Sequence, residues 1–170
     1  MARLFFAVWP GDAASAELAL IAESLAGLAG GKPMPAQKIH MTLAFLGSLD
    51  EGQASRATAA GARVKGVEIG MAIDQVGSFR RARVGWAGPS RQNAQLVALQ
   101  DRLATGLKAA GFMLEDRPFA PHATLVRKIA KPVPTAPMAP IEWRSRELTL
   151  VESTGNGRYE VVESWGLGGN

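Results

Sequence analysis

The chain has 170 residues, 47% of them hydrophobic, with a formal net charge of +4 and a sequence pI near 9.9. This length suits one compact domain, and the basic excess favours anionic partners. The absence of cysteine excludes thiol catalysis, cysteine zinc sites and disulfides, and it fits a cytoplasmic protein. The first apolar run is too short for a signal peptide or a membrane span, so we expect no membrane association.

The N-terminal part of the sequence predicts a strand, a helix and a second strand. Leu4–Trp9 is rich in β-forming residues, and Asp12 has the position of a helix N-cap. The apolar stripe of this helix consists of Leu18, Ile21, Leu25 and Leu28. The helix should end at Gly30-Gly31, and a following strand should run from His40 to Gly47.

The middle of the chain predicts two more helices separated by two strands. Ser48 and Glu51 have the spacing of a capping box, which predicts a helix to about Val64. The alternating segments Val67–Val76 and Arg83–Ala87 predict strands. The clearest amphipathic helix follows Asn93, ends near Gly111 and has the core positions Leu96, Leu99, Leu103 and Leu107.

The C-terminal third begins with a strand at His122. Prolines at 118 and 121 predict that the segment leading into this strand is extended. Residues 128–140 contain four prolines and predict a surface loop. Glu147–Glu152 and Tyr159–Trp165 predict a final hairpin around the Gly155-Asn156-Gly157 turn.

Both histidines of the chain open the same four-residue pattern, His40-Met41-Thr42-Leu43 and His122-Ala123-Thr124-Leu125. Because side chains alternate along a strand, H-x-T places an imidazole and a hydroxyl on one face and apolar residues on the other. A lone histidine is most often a structural residue. Two copies that use the whole histidine content favour an active site.

The order strand, helix, motif strand occurs twice, with 33 residues from Ala7 to His40 and 36 from Trp86 to His122. This repetition indicates a duplicated unit. We therefore predict one bilobal domain over residues 1–170 with an α+β fold. Each of two pseudo-symmetric lobes should be a mostly antiparallel sheet with helices on its outer face, and the H-x-T strands should face a central cleft.

Two facing imidazoles can serve as acid and base on one reaction, because the ordinary histidine pKa of about 6.5 lies near working pH. Two histidines without acidic or cysteine residues at ligand spacing make a poor metal site, and the sequence has no Walker-type phosphate loop. We expect no metal and no cofactor. Basic residues cluster around the second motif and in the Arg80–Arg83 segment. Such a cluster is usually a solvated face, but beside two histidines of this kind it could also bind a phosphate-rich substrate.

The paired motifs resemble those of the 2H phosphoesterase superfamily. Within it the chain is similar to the RNA 2′,3′-cyclic phosphodiesterases, also called 2′-5′ RNA ligases, through Arg117-Pro118-Phe119 before the second motif and Phe45-Leu46-Gly47 after the first. The resemblance covers nearly the whole chain. It implies metal-independent hydrolysis of a terminal 2′,3′-cyclic phosphate to a 2′-phosphate, and ATP-independent 2′-5′ ligation as the reverse type of reaction.

The same resemblance assigns roles to individual residues. It implies that His40 is the proton donor to the departing 3′-oxygen and that His122 is the proton acceptor from water. Thr42 and Thr124 would hold the phosphate oxygens.

Phe45 and Arg127 each lie five residues after a motif histidine. Strict strand alternation turns both away from the cleft, whereas the resemblance makes them a base-stacking ring and a phosphate-binding guanidinium. A β-bulge or a strand end would reconcile the two. For Phe45 plain core packing is the alternative.

Two other functions stay open at the level of sequence. The same histidine pair could act on a small cyclic nucleotide or a 2′-5′ oligonucleotide, or the protein could bind RNA ends without turnover. The intact H-x-T pairs favour catalysis, since binding alone needs no histidine pair. We expect a cytoplasmic monomer whose partners are RNA ends.

Overall fold

A computed structural model describes residues 1–168. These residues form nine β-strands and three α-helices, and two strands separate each α-helix from the next. In chain order these are β1 Ala2–Val8, α1 Asp12–Ala29, β2 Lys32–Pro33, β3 Met41–Leu49, α2 Glu51–Arg63, β4 Ile69–Phe79, β5 Val84–Gly88, α3 Ala94–Ala109, β6 Ala123–Arg127, β7 Ala136–Ser145, β8 Glu147–Ser153 and β9 Tyr159–Gly166. Within the described residues, no helix is long and apolar enough to cross a membrane.

The strands form an antiparallel sheet in the order β7-β4-β5-β6-β3-β1-β8-β9, with the short β2 added to β6. The motif strands β3 and β6 lie at its centre and are joined through the single pair Met41 and Ala123. On either side of this junction lie four strands, which form the first lobe (β3, β1, β8, β9) and the second lobe (β6, β5, β4, β7). The predicted α+β bilobal fold is confirmed, and the two predicted sheets meet as one.

The helices cover the back of the sheet, and two of them cross between the lobes. Helix α1 follows a first-lobe strand yet packs behind β6, while α3 follows a second-lobe strand yet packs behind β3 and against α2. The four leucines predicted for the α3 stripe are all fully buried. Each such side chain contributes roughly 1.5–3 kcal/mol on burial, so α3 holds the apolar back of β3 firmly.

Several local sequence predictions at helix ends were wrong. Helix α1 has Gly11 at its N-cap, and Leu28, predicted for the core, is 76% exposed. The buried face of α1 contains three alanines in addition to the predicted Leu18 and Leu25. The capping box of α2 consists of Asp50 and Gln53, because Ser48 still belongs to strand β3.

The predicted loop at 128–140 is wrong in its last part, where β7 begins at Ala136. Strand β7 pairs with β4 as an edge strand, and Pro137 and Pro140 are tolerated there because an edge strand leaves one row of amides unused. The final hairpin, β8 with β9, is confirmed.

Candidate active site

His40 and His122 lie at equivalent positions beside the junction of the lobes. Each immediately precedes a motif strand, and the next residues, Met41 and Ala123, form the one pair that joins the strands. Both of these residues are completely buried behind the sheet. The histidines are thereby brought together at the centre of the opposite, cleft face.

A backbone carbonyl two residues earlier fixes each imidazole. His40 Nδ1 lies 2.8 Å from the oxygen of Lys38, and His122 Nδ1 lies 2.8 Å from that of Ala120. Because a carbonyl can only accept, each Nδ1 carries a hydrogen and donates it. In the neutral ring Nε2 is then the basic nitrogen. The hydroxyl of Thr42 lies 3.1 Å from His40 Nε2 and donates to it in that state.

A β-bulge interrupts both motif strands at the same place. Beside β1, Phe6 is opposite Ala44 and Ala7 is opposite Thr42, so Leu43 has no partner. Beside β5, the register likewise skips Leu125. The leucine that ends each H-x-T-L pattern is therefore the extra residue.

The two bulges reverse the alternation of side chains beyond the threonines. Thr42 shares the cleft face with Phe45, which pairs with Phe5, and Thr124 shares it with Arg127. Phe45 is 50% exposed, with the guanidinium of Arg3 lying 5.5 Å from its ring centroid. The alternative of core packing for Phe45 is wrong, and all six predicted site residues face the cleft.

Three aromatic rings surround His40. Phe5 stacks on the imidazole at 5.0 Å between ring centroids, Trp9 lies at 5.3 Å, and Tyr159 presents its edge at 5.2 Å. Trp9 is itself fixed by a 2.8 Å hydrogen bond from Nε1 to the Thr149 hydroxyl. We call Phe5, Trp9 and Tyr159 the aromatic cage.

Burial in the aromatic cage lowers the pKa of His40 from 6.5 to about 4. The hydrogen bond to the Lys38 carbonyl opposes this change, while the positive charges of Arg127, His122 and Lys38 add to it. At neutral pH the free protein therefore holds His40 as an uncharged imidazole. Its neighbours disfavour a cation there, but an anion beside Nε2 would reverse the Coulombic part.

The surroundings of His122 are different. Its ring meets the edge of Phe79 at 4.9 Å, and Phe79 lies against Trp86 at 5.7 Å. Trp86 lies over Gly77, where a Cβ would collide with the indole. The indole Nε1 of Trp86 is buried without a hydrogen-bond partner in the described part of the chain.

Tyr159 links the two lobes across the cleft face. Its hydroxyl accepts a 3.1 Å hydrogen bond from the guanidinium of Arg127 on β6. The ammonium of Lys38 lies 4.7 Å from its ring centroid and donates to the carbonyl of Gly157 at 2.5 Å. Tyr159 is thus held over His40 from both sides.

Sequence reasoning did not identify the aromatic cage or Lys38 as part of the site. Phe5 was predicted in a buried strand and Tyr159 in a hairpin, and neither was given a role in the site. One available signal was that Tyr159 is the sole tyrosine of the chain. Its approach to His40 depends on the pairing of β9 with β8 and of β8 with β1, which no local pattern reveals.

A cavity of about 990 Å³ lies next to the aromatic cage and shares Trp9 and Tyr159 with it. Neither histidine lines this cavity. Its charged lining residues are Asp12, Glu17, Glu142, Glu147, Arg144 and Arg146. Because four carboxylates face two guanidiniums there, the lining of this cavity is net acidic and disfavours a phosphate.

Comparison with known proteins agrees with this geometry. Residues 10–157 match the family model described as the 2′-5′ RNA ligase superfamily. The chain is 30% identical over 142 residues to an RNA 2′,3′-cyclic phosphodiesterase of Escherichia coli, covering 81% of this chain and 80% of that protein. It is also 30% identical to a protein of the same name from Thermus thermophilus, covering 98% and 91% of the two chains.

Solved structures show the same fold. A crystal structure of E. coli LigT complexed with 3′-AMP has a TM-score of 0.88 and 27% identity, with 98% of both chains covered. A crystal structure of a T. thermophilus protein has a TM-score of 0.81 and 29% identity, again over 98% of both chains. By the extent of its family-model match and its identity to these relatives, the chain belongs to the 2′-5′ RNA ligase superfamily.

Proposed function

We propose that this protein is a phosphodiesterase that hydrolyses the 2′,3′-cyclic phosphate at the end of an RNA strand to a 2′-phosphate. The observation that carries the proposal is the matched pair of imidazoles, both fixed through Nδ1 so that Nε2 is the reactive nitrogen. Relatives named RNA 2′,3′-cyclic phosphodiesterase support the same activity.

The reaction needs one base and one acid. His122 Nε2 takes a proton from water as the water oxygen attacks phosphorus, and the bond between phosphorus and the 3′-oxygen breaks. His40, protonated at Nε2, gives its proton to that oxygen, which leaves as a 3′-hydroxyl. Each proton transfer of this kind contributes typically about 10² to 10⁴ in rate.

The remaining site residues hold the substrate in this proposal. Thr42 and Thr124 donate hydroxyl hydrogen bonds to the phosphate oxygens, and the Arg127 guanidinium pairs with their charge. Phe45, exposed on the cleft face, stacks on the terminal base. The hydrogen bond from Arg127 to Tyr159 supports this role, because it directs the guanidinium across the cleft.

Because the pKa of His40 is low, the substrate itself must promote the protonation of this residue. His40 has a pKa of about 4 in the free protein, yet an acid must begin protonated. A phosphodiester anion beside Nε2 raises that pKa by direct attraction and by offsetting the charge of Arg127. Substrate binding therefore promotes the protonation of His40.

Ligation follows if the 5′-hydroxyl of a second RNA strand replaces water, since the same acid and base serve both nucleophiles. The ligase name of the family model supports including it in the proposal. In water, hydrolysis is the favoured net direction. The proposal also places the enzyme in the cytoplasm as a monomer, since the sequence has no cysteine and one chain supplies both motif strands.

Two experiments with one preparation test the function. RNA ending in a 2′,3′-cyclic phosphate should yield a 2′-phosphate, identified by chromatography against both monophosphate isomers. Full activity should persist in EDTA, because within residues 1–168 no three potential metal ligands lie together. A 3′-phosphate product, or activity lost to EDTA and restored by one divalent ion, would contradict the mechanism, and RNA binding without turnover would favour the binding-module alternative.

A further inference from the structure

Two groups of basic residues in the structure differ in their acidic neighbours. Arg144 forms 2.9 Å ion pairs with Glu68 and Glu142, and Arg146 lies 3.6 Å from the same Glu68. These cations, beside the large cavity, are neutralised by carboxylates. They are not available as a strong phosphate-binding surface.

The second group gathers at one end of the second lobe, outside the cleft. We call it the basic ridge, and it consists of Lys32, Arg80, Arg81, Arg83, Lys128 and Lys131. Across the described residues 1–168, none of these side chains has a carboxylate within 4.0 Å. The flanking sequences 75–100 and 117–141 contain no aspartate or glutamate at all.

Hydrogen bonds hold the basic ridge together although its residues come from three segments. The amide of Ile129 donates to the carbonyl of Arg83 at 3.0 Å, and Arg83 Nε donates back to the Ile129 carbonyl at 3.1 Å. The amide of Lys131 donates to Ala29 at 3.1 Å. The backbone segments that carry these cations are therefore held together, and a polyanion bound along them would offset the like charges.

The basic ridge is continuous with the catalytic cleft at two points. Lys32 on β2 is the strand partner of Arg127 on β6, so the two residues are adjacent in the sheet. Phe79, whose ring lies 4.9 Å from that of His122, immediately precedes Arg80 and is 37% exposed. An exposed aromatic ring beside a row of cations is the usual construction for binding single-stranded nucleic acid.

We propose that the basic ridge binds the sugar–phosphate backbone of the RNA strand beyond its reacting end, so that a polynucleotide is a better substrate than a free cyclic mononucleotide. This inference rests on the proposed function. A mononucleotide has no phosphate beyond the one in the cleft and gains nothing from the ridge. The acidic cavity on the other side of the aromatic cage repels phosphates, so the strand leaves the cleft over the second lobe.

A triple variant, R80Q/R81Q/K131Q, tests the ridge without altering the cleft. All three side chains are exposed, and the variant keeps Arg83, which holds Ile129. The matched control is R63Q/K65Q/K108Q, which removes the same charge from exposed positions at the ends of α2 and α3. Thermal melting and circular dichroism should show that both variants fold like the parent.

The substrates are a twelve-residue RNA ending in a 2′,3′-cyclic phosphate and 2′,3′-cyclic AMP. At low salt the ridge variant should lose about tenfold to a hundredfold in kcat/KM on the oligonucleotide and less than about twofold on the mononucleotide. The slope of log kcat/KM against log salt should weaken by about 2, since each lost phosphate contact removes about 0.7 for single strands. The control variant should stay within about twofold on both.

Equal oligonucleotide activity in parent and ridge variant would overturn the ridge proposal, as would an equal loss in the control variant. Failure of the proposed function looks different, because neither substrate would then turn over even with the parent protein. In that case the ridge proposal can still be tested by fluorescence anisotropy, which measures the binding of the same RNA bearing a 3′-hydroxyl. Binding that weakens in the ridge variant alone supports the ridge, and unchanged binding rejects it.

Discussion

His40 and His122 share backbone construction but differ in surroundings. Both rings donate from Nδ1 to a carbonyl two residues earlier, and both are followed by a threonine and a bulged leucine. His40, however, lies within the aromatic cage, whereas His122 meets the single ring of Phe79. A duplicated motif thus carries two chemically unlike imidazoles.

The difference shows how two equivalent backbone motifs can support a reaction in which the two histidines have different roles. Equivalent backbone hydrogen bonds fix the two imidazoles in the same way, while side chains from non-equivalent strands surround His40 and lower its pKa. Environments that separate the protonation behaviour of paired groups are what allow one to act as acid and the other as base. In the free protein the lowered pKa of His40 opposes its role as the acid, and in the proposed mechanism the substrate anion reverses this effect.

The largest effect should come from removing either imidazole. His40→Ala and His122→Ala should each lower kcat on 2′,3′-cyclic AMP by about 10² to 10⁴, and the double variant should fall little further because the two act as a unit. The variants should differ in melting temperature, since only His40→Ala empties the aromatic cage. Near-normal turnover in either single variant would remove the two-histidine mechanism.

Arg127 and Phe45, which follow the bulges, give the next largest effects, and their variants separate the contribution of charge from that of stacking. Arg127→Gln should lower kcat/KM by about a hundredfold, mainly through KM, because a charge-assisted contact to phosphate is lost. Phe45→Leu should cost about tenfold, with a larger loss on purine than on pyrimidine cyclic nucleotides because stacking depends on the base. Equal losses on both bases would show that Phe45 does not stack.

The sequence predicted the two motif strands and the position of a histidine at the start of each, because periodicity is a local property. A β-bulge was expected only as one way for Phe45 and Arg127 to face the cleft in spite of the alternation of side chains. The register between the strands shows such a bulge in each motif strand. The aromatic cage could not be predicted, since Phe5 and Tyr159 reach His40 through the order of strands in the sheet. Long-range pairing decides what surrounds a residue that local sequence identifies.

The pKa of His40 tests whether the aromatic cage gives this imidazole unusual surroundings. With only two histidines, proton NMR resolves each imidazole, and His40 should titrate near pH 4 in the free protein. Saturating inorganic phosphate should raise this pKa by about one unit or more, because the anion favours the imidazolium. Titration of free His40 near its ordinary value of 6.5 would show that the cage does not exclude water.

The same low pKa predicts a pH-dependent stability. Because the unfolded chain protonates His40 at a higher pH than the folded one, the free energy of unfolding should fall as pH falls from about 6.5 to 4. His40→Gln should flatten this part of the curve in urea denaturation. Parallel curves for parent and variant would contradict the low folded-state pKa.

The profile of kcat against pH should be a bell, since the acid must start protonated and the base neutral. Its limbs belong to the coupled pair of imidazoles and not to single residues. A rate that climbs through neutral pH and stays high in alkali, with chemistry limiting, would leave His122 as base and remove His40 as acid.

The smallest effect should come from the Tyr159 hydroxyl. Tyr159→Phe keeps the ring edge on His40 but removes the acceptor that orients Arg127. One hydrogen bond of about 0.5–1.5 kcal/mol corresponds to roughly a twofold to tenfold rise in KM, with kcat unchanged. Tyr159→Leu provides the contrast, because losing the ring admits water to His40 and should also raise its pKa towards 6.5. If Tyr159→Phe alone moved that pKa, the hydroxyl, and not the ring, would be what sets His40 apart from His122.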